Sequence, residues 1–290
     1  MNNPAYQFSD AMQSAFGRVD FSPIPDGNIH RFHVPGDKAG ARNGWYVLHT
    51  DGIASGAFGS WKTGESHTWC SRKPVNILEV ELIRQQMAKA RRQRDEEQHQ
   101  RQQKAAERAG KLWRESSDAD HEHPYLTAKE VQPLGLRQCG ELLLVPLLHG
   151  GELLNLQTIQ PDGSKRFLSG GKVKGCHSMI GEPEHGGRLY LCEGWATGAT
   201  IHRETGDAVA CAMNAGNLLE AGRELLRAYP DALLIVAADD DRQTLSNPGK
   251  TAAIQAAEAL GCGLVLPQWP DDAPLHLSDF NDLQRWRGAQ

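Results

Sequence analysis

The spacing of apolar residues changes several times along this chain, and the changes divide it. Over residues 1–76 short apolar runs are broken by Asp-Gly and Ser-Gly, as in GWYVLHTDGIASGAFGSW. That pattern predicts hairpins and a small β-rich module. From Ile77 to about Trp113 there is no proline and no glycine before Gly110, and Ala, Glu, Gln, Lys and Arg dominate. This predicts one long charged helix occupying 77–115. Residues 116–186 read as a small basic α+β unit. HPYLTAKEV starts a short helix, ELLLVPLL is a strand, LLNLQTIQ alternates as its partner, PDGSKR turns, and FLSGGKVKGCHSMIG follows.

Residues 187–290 alternate strand and helix. Strands are expected over Arg188–Cys192, Ala208–Met213, Ala232–Ala238 and Gly263–Leu266. Helices are expected over Trp195–Glu204, Leu218–Ala228 and Thr251–Leu260, with Gly206 and Gly261 as stops. Asn214 and Asn217 are expected to cap the helix beginning beside them. Strands joined by crossover helices require a parallel, right-handed sheet, so the fold class is α/β.

Composition narrows the setting. No apolar run approaches the ~20 residues of a membrane helix. The opening MNNPAYQFSD lacks a basic stretch followed by an apolar one, so a cytoplasmic protein with no membrane partner is expected. A net charge of −5 means that any polynucleotide must meet a local basic surface. The long helix carries ten Lys or Arg against four Asp or Glu between Arg84 and Arg114. A solvated linker helix is the preferred reading, and a cationic face tracking a single strand is the alternative.

Six cysteines stand singly with no CxxC pair, which argues against a disulfide framework and a thiolate ribbon. Most are expected to be small core residues. His30 and His33 in HRFH, with His67 and Cys70 in HTWC, are spaced so that two pairs could hold one zinc ion. Structural zinc sites lean on cysteine, so chance spacing of strand and turn residues is preferred and zinc is not expected.

The candidate chemistry is acidic. Glu193 directly follows one strand, Asp239-Asp240-Asp241 follow another, and Asp279 lies downstream in SDFND. Loops after parallel strands share one sheet edge, so these carboxylates should converge there. Gathered carboxylates repel, and magnesium or manganese relieves the repulsion while bridging phosphate oxygens. Asp240 is expected to point away from its two neighbours. Lys165, Arg166, Lys172 and Lys174 surround a Gly-Gly turn suited to phosphate approach. Lys250 opens a helix where a phosphate could bind.

Together these motifs carry a resemblance. Glu193 with its following glycine, the Asp239–Asp241 pair and SDFND resemble the Toprim domain shared by DnaG-type primases, topoisomerases and some nucleases. CEGWATGATI, NAGNL, VAADDD, NPGKTAA and SDFNDL together look like the Toprim module of plasmid and phage primases of the TraC type. HPYL and the LLVPLL to FLSGG stretch look like the basic subdomain before it, so the likeness covers roughly residues 120 to 285. The resemblance implies Glu193 as general acid–base or metal ligand, Asp239 and Asp241 as metal ligands and Asp279 as an auxiliary one. It also implies that Lys165 and Arg166 handle template or nucleotide.

The implied activity is magnesium-dependent synthesis of short RNA primers on a single-stranded DNA template from ribonucleoside triphosphates. The sequence stops soon after DFNDL, so a replicative helicase is expected to be a separate chain, or the sequence to be a fragment of a larger protein. Two departures from the resemblance stand out: the amino end has no cysteine-rich zinc ribbon, and no helicase-type carboxyl-terminal domain follows. A Toprim nuclease and a non-catalytic single-strand-binding replication module are the alternatives. The basic unit ahead of the sheet favours synthesis over cleavage, and the four acids favour catalysis.

Overall fold

A computed structural model describes residues 3–290; Met1 and Asn2, at the head of the stretch searched for a leader, lie outside the described residues. The chain divides into two compact units, one ending at Gln100 and the other running from Arg101 to Gln290.

The first unit opens with α1 (Pro4–Phe16), which the sequence reading missed. Asn3 caps it, its side chain accepting from the Ala5 N–H at 3.0 Å. Ala5, Phe8 and Met12 fall on one face at helical spacing and are buried. They pack on an antiparallel sheet of β1 (His30–Phe32), β2 (Gly44–His49), β3 (Ser55–Ser60) and β4 (Ser66–Cys70), ordered β1-β2-β3-β4. The expected hairpins are therefore present.

A 39-residue helix, α2 (Ile77–Glu115), follows without a break. It is not solvated all round, as the linker reading supposed. Its first half buries Gln86 and Ala90, with Ala90 against Trp45, Val47 and Ala57 and Gln86 accepting from Ser55 Oγ at 2.7 Å. In the second unit Ala105 and Ala109 are fully buried, and Ala109 meets Leu144 and Leu156. Alanines let a backbone approach a sheet closely, so a strongly charged helix can still dock along one narrow stripe.

In the second unit, β5 (Ser117–Asp118), α3 (Pro124–Lys129), β6 (Arg137–Cys139), β7 (Leu142–His149), β8 (Glu152–Ile159) and β9 (Lys165–Phe167) form the antiparallel part, in strand order β5-β6-β7-β8-β9. The PDGSKR turn closes with Gln160 N–H donating to Ser164 O at 2.9 Å and Ser164 N–H to Asp162 Oδ1 at 2.8 Å. Beyond it lie β10 (Ser178–Ile180), β11 (Arg188–Cys192), α4 (Trp195–Thr205), β12 (Ala208–Cys211), α5 (Leu218–Ala228), β13 (Leu233–Ala237), α6 (Pro248–Leu260), β14 (Gly263–Val265) and α7 (Phe280–Gly288).

The second sheet runs β10-β12-β11-β13-β14, parallel except for β10. Alternating β11 residues serve opposite faces. Leu189 and Leu191 join Leu218, Leu225, Ala253 and Ala256, while Cys192 joins Trp195, Ala199, Val209 and Cys211. Helices thus cover both faces, as a parallel sheet requires. Of the cysteines, Cys176, Cys192 and Cys211 are the buried ones.

The two asparagines expected as caps make no capping hydrogen bond from their side chains. Asn217 is buried instead and ties a loop to the sheet. It accepts from Gly175 N–H at 2.7 Å and donates to the carbonyls of Cys176 and Ala212 at 2.8 and 2.9 Å. Three bonds inside the protein outweigh one cap at its surface.

Gly198 sets the distance of α4 from the sheet. A Cβ there would lie 2.4 Å from Cys211 Sγ and 3.2 Å from Cys192 Sγ. Gly198→Ala is expected to cost ~1–3 kcal/mol through overpacking, read as a lower urea midpoint at unchanged slope. No helix among the described residues is long and apolar enough to cross a membrane.

Candidate active site

The carboxyl-terminal edge of the parallel sheet is where the loops after β11 and β13 emerge. Glu193 leaves β11 at once, Asp239 follows β13 after Ala238, and Asp279 sits at the N-cap of α7. Glu193, Asp239 and Asp279 line one cavity of about 180 Å³. Tyr125 and Lys129 from α3, Gln157 from β8 and Lys165 from β9 line the same cavity. Carboxylates and lysine ammonium groups therefore share a single space.

Asp239 is the most perturbed member. Its Oδ1 is shut off from solvent and has no hydrogen-bond partner. Burial, then the charges of Asp279, Glu193 and Asp241, push its pKa from the ordinary 3.8 to about 8, with Lys165 pulling the other way. Glu193 is also raised, by burial first and Asp241 next, while the Ala215 N–H and Lys165 oppose the shift. Asp279 is raised by burial and Asp282, and held back by the Asp282 N–H it caps at 2.8 Å, by Lys129 and by Thr197. Lys165 is steered over the Tyr125 ring, 5.5 Å from its centroid.

The other expected residues are placed differently. Asp241 does not line the cavity; its Oδ2 accepts from Gly249 N–H at 3.3 Å, and it acts on Glu193 and Asp239 through its charge. Asp240 turns into a polar latch, accepting from Asn247 Nδ2 at 2.7 Å and Trp269 Nε1 at 3.2 Å. Lys250 is 3.5 Å from Asp240 and does not line the cavity. Arg166 follows Lys165 on β9 and so points to the opposite face of the strand. Lys174 stands 4.0 Å from Glu220, and neither it nor Lys172 reaches the cavity wall.

The zinc candidates are not brought together. His30 lies on β1 and His33 just beyond it, while His67 and Cys70 lie on β4 at the opposite edge of the sheet, with two strands between. Each is otherwise engaged. His30 meets Asp26 at 2.9 Å, His33 Ala41 O at 2.8 Å and His67 Glu65 at 2.8 Å, and Cys70 Sγ donates to Arg72 O at 2.9 Å.

Magnesium suits the acidic wall. A partnerless buried carboxylate oxygen amid three more acids is the donor chemistry that a hard cation satisfies. No three His, Cys, Asp or Glu side chains among the described residues already stand around one point at ligand spacing. That is compatible with an ion held by one or two carboxylates and its own waters.

Tyr125, Lys129, Gln157 and Thr197 were not singled out from the sequence. Tyr125 and Lys129 lie in HPYLTAK and Gln157 in the alternating LLNLQTIQ, so each sat inside an interpreted segment without a role of its own. Tyr125 offers the clearest signal: its hydroxyl is buried without a partner, and burial raises its pKa to about 12.

Residues 188–290 match the Toprim domain family. Two proteins of Escherichia coli, each named DNA primase TraC, are similar over 91% of this chain. One is 33% identical over 282 residues and the other 32% over 279 residues. The chain spans 19% and 26% of their lengths. The crystal structure of the Aquifex aeolicus primase, comprising zinc-binding and RNA polymerase domains, covers 99% of this chain and 85% of its own at 14% identity and a TM-score of 0.41.

Proposed function

We propose that this chain, a Toprim protein similar to the TraC primases, makes short RNA primers on single-stranded DNA by magnesium-dependent nucleotidyl transfer. The observation that carries this reading is the shared cavity, where acids from the parallel sheet face lysines from the antiparallel unit. Such a space offers a cation on one side and a triphosphate on the other, which joining nucleotides needs.

Held by Asp239 and Asp279, with Asp241 adding charge, magnesium or manganese would acidify a 3′-hydroxyl and neutralise a leaving pyrophosphate. The chain's own groups do the rest. Glu193, raised in proton affinity and partly open to the cavity, accepts the hydroxyl proton. Lys165 and Lys129 balance phosphate charge, and Tyr125 orients Lys165 beneath its ammonium.

The test is incubation with single-stranded DNA, four ribonucleotides and magnesium, followed by separation of labelled RNA. Short RNA products support the reading. Degradation of labelled DNA without RNA would put a nuclease in its place, and binding without either would make this a single-strand-binding module.

Lys165→Ala is expected to raise the KM for ribonucleotides by about 10-fold or more, the scale of one charged hydrogen bond, with Lys165→Arg recovering part of it. Initial primer rates over a ribonucleotide series measure this.

A further inference from the structure

Of the three consecutive aspartates, Asp240 lies outside the acidic cavity, yet it is only 8% exposed. A carboxylate buried to that degree needs partners. Its Oδ1 accepts from Asn247 Nδ2 at 2.7 Å and lies 3.5 Å from Lys250 Nζ, and its Oδ2 accepts from Trp269 Nε1 at 3.2 Å. Those partners come from the start of α6 and from the passage that leads to Asp279.

Asn247 sits in the left-handed region at φ 42°, which asparagine tolerates better than most residues. Its Oδ1 accepts from the Asp241 N–H at 2.8 Å while its Nδ2 serves Asp240. One side chain thus grips two consecutive residues of the acidic loop. Gly249 lets this turn lie close, since a Cβ there would stand 3.0 Å from Asp241 Oδ2 and 3.1 Å from Asp239 Cβ. On the other side the Arg242 guanidinium lies 4.3 Å from the Trp269 ring centroid and donates to the Pro274 carbonyl at 2.7 Å. The Asp240 N–H donates to the Ser278 carbonyl at 2.6 Å. Asp239 and Asp279 are therefore tied to each other through their chain neighbours.

Two carboxylates on one cavity repel, and a loop free to relax would swing them apart. A loop held in place keeps them where a cation can meet both, whereas a loosened one must be ordered as the cation binds. We propose that Asn247 and Trp269, acting through Asp240, are positioning residues that hold Asp239 toward Asp279 and so set the affinity for a divalent cation. The inference rests on the metal-holding part of the proposed function and not on RNA synthesis.

The full 290-residue chain is titrated with Mn2+ without nucleotide, and the free ion is read by electron paramagnetic resonance. Asn247→Gly accepts the positive φ and loses the side-chain bonds. Asn247→Asp keeps the acceptor but sets a second carboxylate against Asp240. Each is expected to weaken Mn2+ binding about 10-fold or more, the scale for a group that orients a metal ligand. Trp269→Phe, which loses one donor and keeps a ring, should fall between these variants and the parent. Asp239→Asn should lose the binding measured. In the primer assay the Asn247 variants should need more Mn2+ for half-maximal rate and reach the parental rate at saturation, a split that lost stability alone does not produce.

Melting in EDTA identifies a variant that fails to fold, and Trp269→Phe decides where both Asn247 variants do. Parental Mn2+ affinity in the deciding variant overturns the proposal. So does binding that survives Asp239→Asn, or a parent that takes up no Mn2+. Weakened Mn2+ binding with no RNA from any form leaves the proposal standing and removes primer synthesis instead.

Discussion

Asp239→Asn should cut the proposed primer synthesis by orders of magnitude and, without metal, make the protein more stable. The stability effect follows from linkage. Folding raises the Asp239 pKa from 3.8 to about 8, so between those values the folded chain binds a proton that the unfolded chain has released. The parent therefore loses stability as pH rises from about 4 to about 8, on the order of a few kcal/mol in total. Asparagine removes the charge that Asp279, Glu193 and Asp241 repel. In EDTA at pH 8.5 the variant should melt roughly 5 °C or more above the parent, and the gap should close as pH falls toward 4.

Magnesium should reverse the order by stabilising the parent alone. Activity should drop by roughly 10²–10³-fold or more, as when one preorganised charge is removed from a reaction centre. Differential scanning fluorimetry across pH, with and without magnesium, measures the first part, and the primer assay the second. A variant that melts below the parent in EDTA at pH 8.5 would show that the acids do not repel as their placement implies. Function here is built on a strained charge cluster that folding alone does not favour.

The parallel sheet was legible because its inner strands, Ala208–Cys211 above all, are buried and read as continuous apolar runs. Its helix stops were legible because Gly206 and Gly261 adopt the left-handed conformation, at φ 74° and 64°. Short or mixed segments were harder to see. α1 places Ala5, Phe8 and Met12 at helical spacing, yet it opens a stretch dominated by turn residues. β10 has three residues and needs β12 beside it to exist as a strand. α7 is polar, and Asp279, read as a metal acid, also caps it. The two roles coexist because Oδ1 accepts the Asp282 N–H while the side chain still borders the cavity.

In the site, pattern identified which acids leave which strands but not which way each side chain turns. Glu193, Asp239, Asp279 and Lys165 border one cavity; Asp241, Arg166, Lys172, Lys174 and Lys250 do not. Local bonds decide the difference. Lys250 lies next to Asp240, and Asp241 is held by the backbone of α6. Tyr125 and Gln157 could not be assigned in advance because they reach the acids only through packing between segments far apart in the chain.

Glu193→Gln should leave melting and single-strand affinity near parental while primer synthesis falls by roughly 10³-fold, at the upper end of what one group at a reaction centre supplies. The backbone that places this residue is indifferent to the change: its carbonyl accepts from Met213 N–H at 2.7 Å, and Gly194 O accepts from Gly198 N–H at 3.0 Å. Glutamine keeps the shape and loses the base. Burial and Asp241 raise the Glu193 pKa above the ordinary 4.5, so the parental rate should fall on the acid side at a pH above that value, as the base becomes protonated. Glu193→Asp retains the charge on a shorter arm and should recover part of the rate. Parental primer yield from the glutamine variant would remove Glu193 from the chemistry and leave it as a charged wall of the cavity. Loss of single-strand affinity in the same variant would instead assign it to template binding, a role its acidic neighbours argue against.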